Sequence, residues 1–216
     1  MDGLALVLLI LTGIIAGGYF NLAFKVGFEK FAVFTNLYLF YLVLTVFLMI
    51  LLMYLRDDRT FGFPSLEEWV YTFTGTCLAP LLSVAFQYIA GTMCFWLIPV
   101  LSIEGEPTLS LTITIVLNLI VGTVESLLFH ALLPLTLIEI AGRGWKTPAV
   151  LISNLWFASL HLVYGDWISF IYALIVGNYM GYVMVYMDEI GKPWYSTVAV
   201  GHALHNILVV CMFGGG

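Results

Sequence analysis

The chain has 216 residues, 62% of them apolar and 9% charged, with a formal charge of −6 and a mean hydropathy of +1.06. Soluble domains carry roughly 45–50% apolar and about 25% charged residues, so a water-soluble globular protein is excluded. No basic cluster larger than a pair is present, which excludes a nucleic-acid surface and a polybasic lipid-binding tail.

Several uninterrupted apolar runs reach the length of about 20 residues that one bilayer crossing needs. They are apolar on all sides instead of alternating, which argues against a membrane β-barrel. The expected fold class is therefore all-α, a polytopic transmembrane helical bundle forming one membrane domain over 1–216. Spans are predicted at residues 4–24, 33–55, 78–101, 108–141, 147–163, 167–187 and 195–213, a count of seven with six to eight compatible. Met1-Asp2-Gly3 lacks the positive region of a cleaved signal, so the first run is read as a retained helix. Between the second and third spans, Pro64, Ser65 and Glu68 read as a helix start with Ser65 as N-cap. The run 108–141 would extend about 51 Å as a straight helix. That exceeds a hydrocarbon core of about 30 Å, and Pro134 is the expected break. Cys77, Cys94 and Cys211 show no CxxC spacing and read as small core residues. Glu67 and Glu68 read as part of the cap, not as a catalytic dyad. Asp57, Asp58, Asp188 and Glu189 read as solvated loop edges, and Glu139 as reaching the interface.

Within a bilayer the informative side chains are the polar ones far from helix ends, because a central ionised group costs at least about 2.5–3.5 kcal/mol. They are Asn118, Glu125, Ser126 and His130 in the long run, Asn154 and His161 in the fifth, Asn178 in the sixth, and His202, His205 and Asn206 in the last. Asn118 and Glu125 are seven residues apart, as are Asn154 and His161, and His202 and Asn206 are four apart, so each helix presents a polar stripe. The cheapest packing turns these stripes toward one another around a small polar cavity. Asn118, Asn154 and Asn178 are expected to bond between helices, with His205 a bystander or supporting donor.

Three local strings carry more than composition does: Glu125-Ser-Leu-Leu-Phe129-His130, Phe157-Ala-Ser-Leu-His161 and His202-Ala-Leu-His-Asn206. They resemble the signatures of the CAAX-protease and bacteriocin-processing (CPBP, or Abi) family of intramembrane glutamic endopeptidases: Glu-Glu-x-x-x-Arg, Phe-x-x-x-His and His-x-x-x-Asn. The resemblance covers a CPBP-like core over 108–213. Two positions depart from the pattern, with Ser126 in place of the second Glu and His130 in place of the Arg. Their joint loss is electrically neutral if that Glu and Arg normally pair. The resemblance implies that Glu125 and His161 activate a water, while His202 and Asn206 bind the carbonyl oxygen. Ser126, His130, Phe157 and His205 would support them.

The same residues admit other chemistry. Glu125, His161 and His202 are the ligand types of many hydrolytic zinc sites. Without His-Glu-x-x-His, however, a metal-free glutamate mechanism is preferred, and Zn2+ is the alternative cofactor. The expected partners are membrane lipid and a hydrophobic or lipid-anchored peptide or protein substrate, cleaved near the membrane surface, and no nucleic acid. The rivals are an inactive family member acting as a scaffold or immunity-type protein, and a proton-coupled transporter using Glu125 and the histidines as a relay. No repeat or Gly/Pro-broken helix pair supports the transporter.

Overall fold

A computed structural model describes residues 2–26, 107–164 and 167–191, with isolated helical positions at 39–50 and 198–207. Among the described residues the secondary structure is helical, without a strand. Helix α1 is Asp2–Val26, α2 is Pro107–Glu125, and α3, Leu133–Ala141, continues α2 through a π-helical turn at Ser126–Leu132. After a 3-10 turn at Arg143–Trp145 come α4, Lys146–Leu160, a second 3-10 turn at His161–Tyr164, and α5, Trp167–Glu189.

These elements coincide with the expected spans at 4–24, 108–141, 147–163 and 167–187. The expected spans at 33–55 and 195–213 are described only in part. The span at 78–101, the Ser65 cap, Glu67, Glu68, Asp57, Asp58, Cys77, Cys94, Cys211 and His205 lie outside the described residues. Two helical stretches, Thr112–Ala141 and Ser169–Glu189, are long and apolar enough to cross a membrane.

The burial pattern of α1 shows what surrounds it. Ala5, Leu9, Thr12 and Ala16 are buried at helical spacing, while Leu4, Val7, Leu11, Ile14 and Ile15 are exposed. Helix α1 thus covers the bundle with one narrow stripe and offers bulky aliphatics outward, as a helix in lipid does. Its small residues allow close approach: a Cβ at Gly13 would lie 2.6 Å from the Trp156 ring of α4. Helices α4 and α5 form the most extensive pairing, and the π turn packs against both.

The sequence placed the break in the long helix at Pro134. The irregularity instead occupies the preceding turn, with Pro134 opening α3. The hydrogen bonding explains the shift. Leu133 N–H donates to Leu128 O, five residues back, in the π register. In that register the next carbonyl, Phe129 O, would be bonded by residue 134, and proline has no N–H. Ser153 Oγ of α4 donates to Phe129 O in its place. The widened turn is thus held by a side chain from the neighbouring helix.

One end of the bundle is polar. Glu139, Arg143 and Glu189 are exposed there, and Lys146 at the start of α4 pairs with Glu189 at the end of α5. Glu139 and Glu189 are therefore exposed and outside the apolar core, Glu189 at the end of α5 where the sequence reads a solvated edge.

Candidate active site

The π turn decides which side chains of the long helix share a face. At 3.6 residues per turn, positions five apart diverge by about 140° on an α-helix. A turn closed by bonds between residues five apart returns them to one side. Glu125 and His130, at the two ends of such an interval, consequently both address the same imidazole, that of His202.

Glu125 Oε2 lies 3.4 Å from His202 Nε2, and Ser126 Oγ lies 3.2 Å from His202 Nδ1. The His130 and His202 ring centroids are 5.5 Å apart. Close backbone approach makes this convergence feasible. A Cβ at Gly122, one turn before Glu125, would lie 3.2 Å from Ala203 N and 3.5 Å from His202 C. Ser126, His130 and His202 are buried, whereas the Glu125 side chain keeps 22% exposure. The carboxyl therefore stands where the polar cluster opens.

Helix α4 supplies the opposite wall. His161 ends the helix, and its Nδ1 lies 3.0 Å from Phe157 O. A carbonyl only accepts, so Nδ1 carries the proton and Nε2 is an acceptor in the neutral ring. The Phe157 ring lies between the histidines: its centroid is 4.8 Å from that of His130, 4.7 Å from that of His161 and 6.2 Å from that of His202. The aromatic ring spaces the imidazoles. Asn206, four residues beyond His202, is buried in the same stretch.

The asparagines behave unequally. Asn154 Nδ2 donates to Val150 O, leaving Oδ1 to accept from His130 Nδ1 at 2.7 Å. It is the interhelical bond expected of it. Asn118 and Asn178 instead turn their amide N–H groups back on their own helices, to Thr114 O and Leu174 O. An unbonded amide beside a backbone carbonyl is costly in an apolar surround, and the carbonyl one turn back is always within reach.

Residues not singled out from the sequence matter here. Gly177 and Gly181 of α5 bring that helix against Asn154: an added Cβ would lie 2.8 Å from Asn154 Oδ1 at Gly177 and 2.7 Å from Asn154 Nδ2 at Gly181. Their spacing, small-x-x-x-small, was a readable signal for close helix packing. Ser153 was unremarkable in the sequence, because its role depends on the π register.

Among the described residues, no three His, Cys, Asp or Glu side chains gather to hold a metal ion. Glu125, His161 and His202, the three that the sequence put forward as zinc ligands, do not form such a group. The arrangement does hold a carboxyl in contact with an imidazole, two further imidazoles with fixed protons, and buried amides. These groups can accept a proton from water and donate hydrogen bonds to a carbonyl oxygen.

Comparison with known proteins adds one finding: residues 107–208 match the family described as type II CAAX prenyl endopeptidase Rce1-like. No curated protein and no solved structure matches the chain.

Proposed function

We propose that this chain, whose residues 107–208 match the family described as type II CAAX prenyl endopeptidase Rce1-like, is a multi-pass intramembrane endopeptidase that hydrolyses a peptide bond with a water activated by Glu125 and His161. The observation that carries the reading is the contact of Glu125 with His202, two polar side chains from separate apolar helices that meet inside the bundle. Burying such groups is expensive unless they find each other, so their convergence is specified by the sequence and is not an accident of packing.

The geometry suits hydrolysis. Glu125 takes a proton from the water as its oxygen adds to the substrate carbonyl carbon, then returns a proton to the leaving amine. His161, with its proton held at Nδ1 by Phe157 O, keeps Nε2 as an acceptor for the carboxyl proton that Glu125 takes up from the water. His202 supplies the donor for the developing oxyanion. Ser126 Oγ lies 3.2 Å from His202 Nδ1, and a hydroxyl that donates there leaves the imidazole proton on Nε2. That nitrogen lies 3.4 Å from Glu125 Oε2, so the same N–H can turn to a carbonyl oxygen as charge grows on it. The Asn206 amide is the second donor. Donors fixed in a water-poor site stabilise such charge more than they would in bulk water.

The substrate is a hydrophobic or lipid-anchored peptide, with a prenylated carboxyl-terminal peptide as the class that the family match favours. Purified protein in proteoliposomes, given a prenylated peptide with a CAAX-type carboxyl terminus, should release the terminal residues, as read by mass spectrometry. Glu125→Gln should abolish release while leaving the thermal unfolding midpoint close to that of the parent. Full activity in Glu125→Gln would remove the glutamate mechanism.

Ser126 and His130, which stand where the family pattern has Glu and Arg, favour one second reading: a noncatalytic member acting as a scaffold or immunity-type protein. In that case the cellular phenotype of a deletion is restored as well by Glu125→Gln as by the parent.

A further inference from the structure

The His130 side chain is fully buried, at 0% exposure, and its two ring nitrogens are in different situations. Nδ1 lies 2.7 Å from Asn154 Oδ1. That oxygen can only accept, since the Asn154 amide nitrogen is committed to Val150 O. The His130 proton is therefore held on Nδ1, and Nε2 presents a lone pair. Among the described residues nothing donates to Nε2. Its neighbours are the rings of His202 at 5.5 Å and Phe157 at 4.8 Å.

We propose that His130 is a further catalytic residue: its Nε2 accepts a hydrogen bond from the lytic water and so aims the oxygen of that water at the scissile carbonyl. The inference rests on the endopeptidase reading above and deepens it. A water has two O–H groups. One gives its proton to Glu125 as the oxygen attacks, and the other remains covalently bound throughout and needs an acceptor. A neutral imidazole with its own proton fixed elsewhere is such an acceptor, and no proton moves to it. The oxygen lone pairs are then left facing the substrate.

The surroundings keep His130 in this state. Asn154 is a positioning residue, since its carbonyl selects the tautomer. Gly177 lets α5 close over the pair: a Cβ there would lie 2.8 Å from Asn154 Oδ1 and 3.3 Å from His130 Cε1. An arginine at position 130 could not play this part, because a guanidinium only donates. The site in this chain thus has the opposite hydrogen-bonding polarity at that position from the Arg of the family pattern.

Two measurements on the full chain test the proposal. In histidine-labelled protein in lipid nanodiscs, the His130 ring nitrogens, assigned by their loss in His130→Phe, should show Nδ1 protonated and Nε2 unprotonated, with the shift of a hydrogen-bonded acceptor and exchange with bulk water. A protonated Nε2, or an Nε2 without a hydrogen bond, overturns it. With the prenylated peptide, His130→Phe keeps an aromatic ring against Phe157 but removes the acceptor. It should lower kcat by about 100-fold with KM unchanged, the low end of what positioned acid–base groups contribute. Parental kcat in His130→Phe overturns the proposal while leaving Glu125-dependent cleavage standing. Should the parent protein cleave nothing, the endopeptidase reading fails and His130 loses its catalytic assignment with it.

Discussion

At the scale of single residues, His202 stands at the centre of the cluster, with Glu125 Oε2 3.4 Å from its Nε2 and Ser126 Oγ 3.2 Å from its Nδ1. Ser126 replaces a glutamate of the family pattern. A carboxylate there would take the proton from His202 Nδ1, whereas a hydroxyl can give one and leave Nε2–H as the donor. Ser126→Ala removes that hydrogen bond, whose net worth is about 1 kcal/mol. It should lower kcat about fivefold without changing KM. A loss that matched Glu125→Gln would instead make the hydroxyl a participant in the chemistry. That Glu125, Ser126, His130, His161 and His202 would gather inside the bundle was legible in the sequence, because a polar side chain in an apolar helix has no inexpensive place except a shared pocket. Which of them touch was not legible: pairing depends on helix rotation, and a π turn alters that rotation without leaving a composition signal.

At the scale of the element, the long helix shows what the sequence could and could not specify. Pro134 was readable as a disruption, but its effect travels backward, into the carbonyl that its missing N–H leaves for another donor. Ser153 Oγ is that donor. Ser153→Ala leaves a buried carbonyl without a partner, which costs about 1–3 kcal/mol. Pro134→Ala restores an N–H in the position that a π register requires for Phe129 O. In the double variant the restored N–H should replace the lost hydroxyl, so the two changes should combine to less than their sum, with a coupling of about 1 kcal/mol. Denaturation in detergent of the parent, both single variants and the double variant measures that coupling. Strict additivity would mean that Phe129 O is satisfied by neither group. Because the restored bond to Phe129 O keeps the π register that brings Glu125 and His130 to one face, cleavage in the double variant should recover together with stability.

For the molecule as a whole, the bundle closes where side chains are smallest, and that closure holds the polar cluster together. In an exposed helix, replacing Gly by Ala stabilises by about 0.5–1 kcal/mol, because glycine loses the most backbone freedom on folding. Gly18 of α1 has nothing within 4 Å of an added Cβ, so Gly18→Ala should raise stability by that amount and leave cleavage unchanged. Gly181 of α5 is the opposite case, since an added Cβ would lie 2.7 Å from Asn154 Nδ2 and 2.9 Å from Val150 Cγ1. Overpacking of this kind costs about 1–3 kcal/mol, more than the propensity gain returns. The strain falls on the one asparagine that fixes the His130 proton. Gly181→Ala should therefore lower both the unfolding midpoint and kcat, and Gly181→Ala combined with Asn154→Ala should lower the midpoint by less than the sum of the two single changes, because the obstructing amide is gone, without recovering kcat. Parallel thermal melts and cleavage assays of the four variants separate the two effects. Recovery of kcat in the double variant would show that α5 acts on the site through packing alone, with no part for the Asn154 to His130 bond.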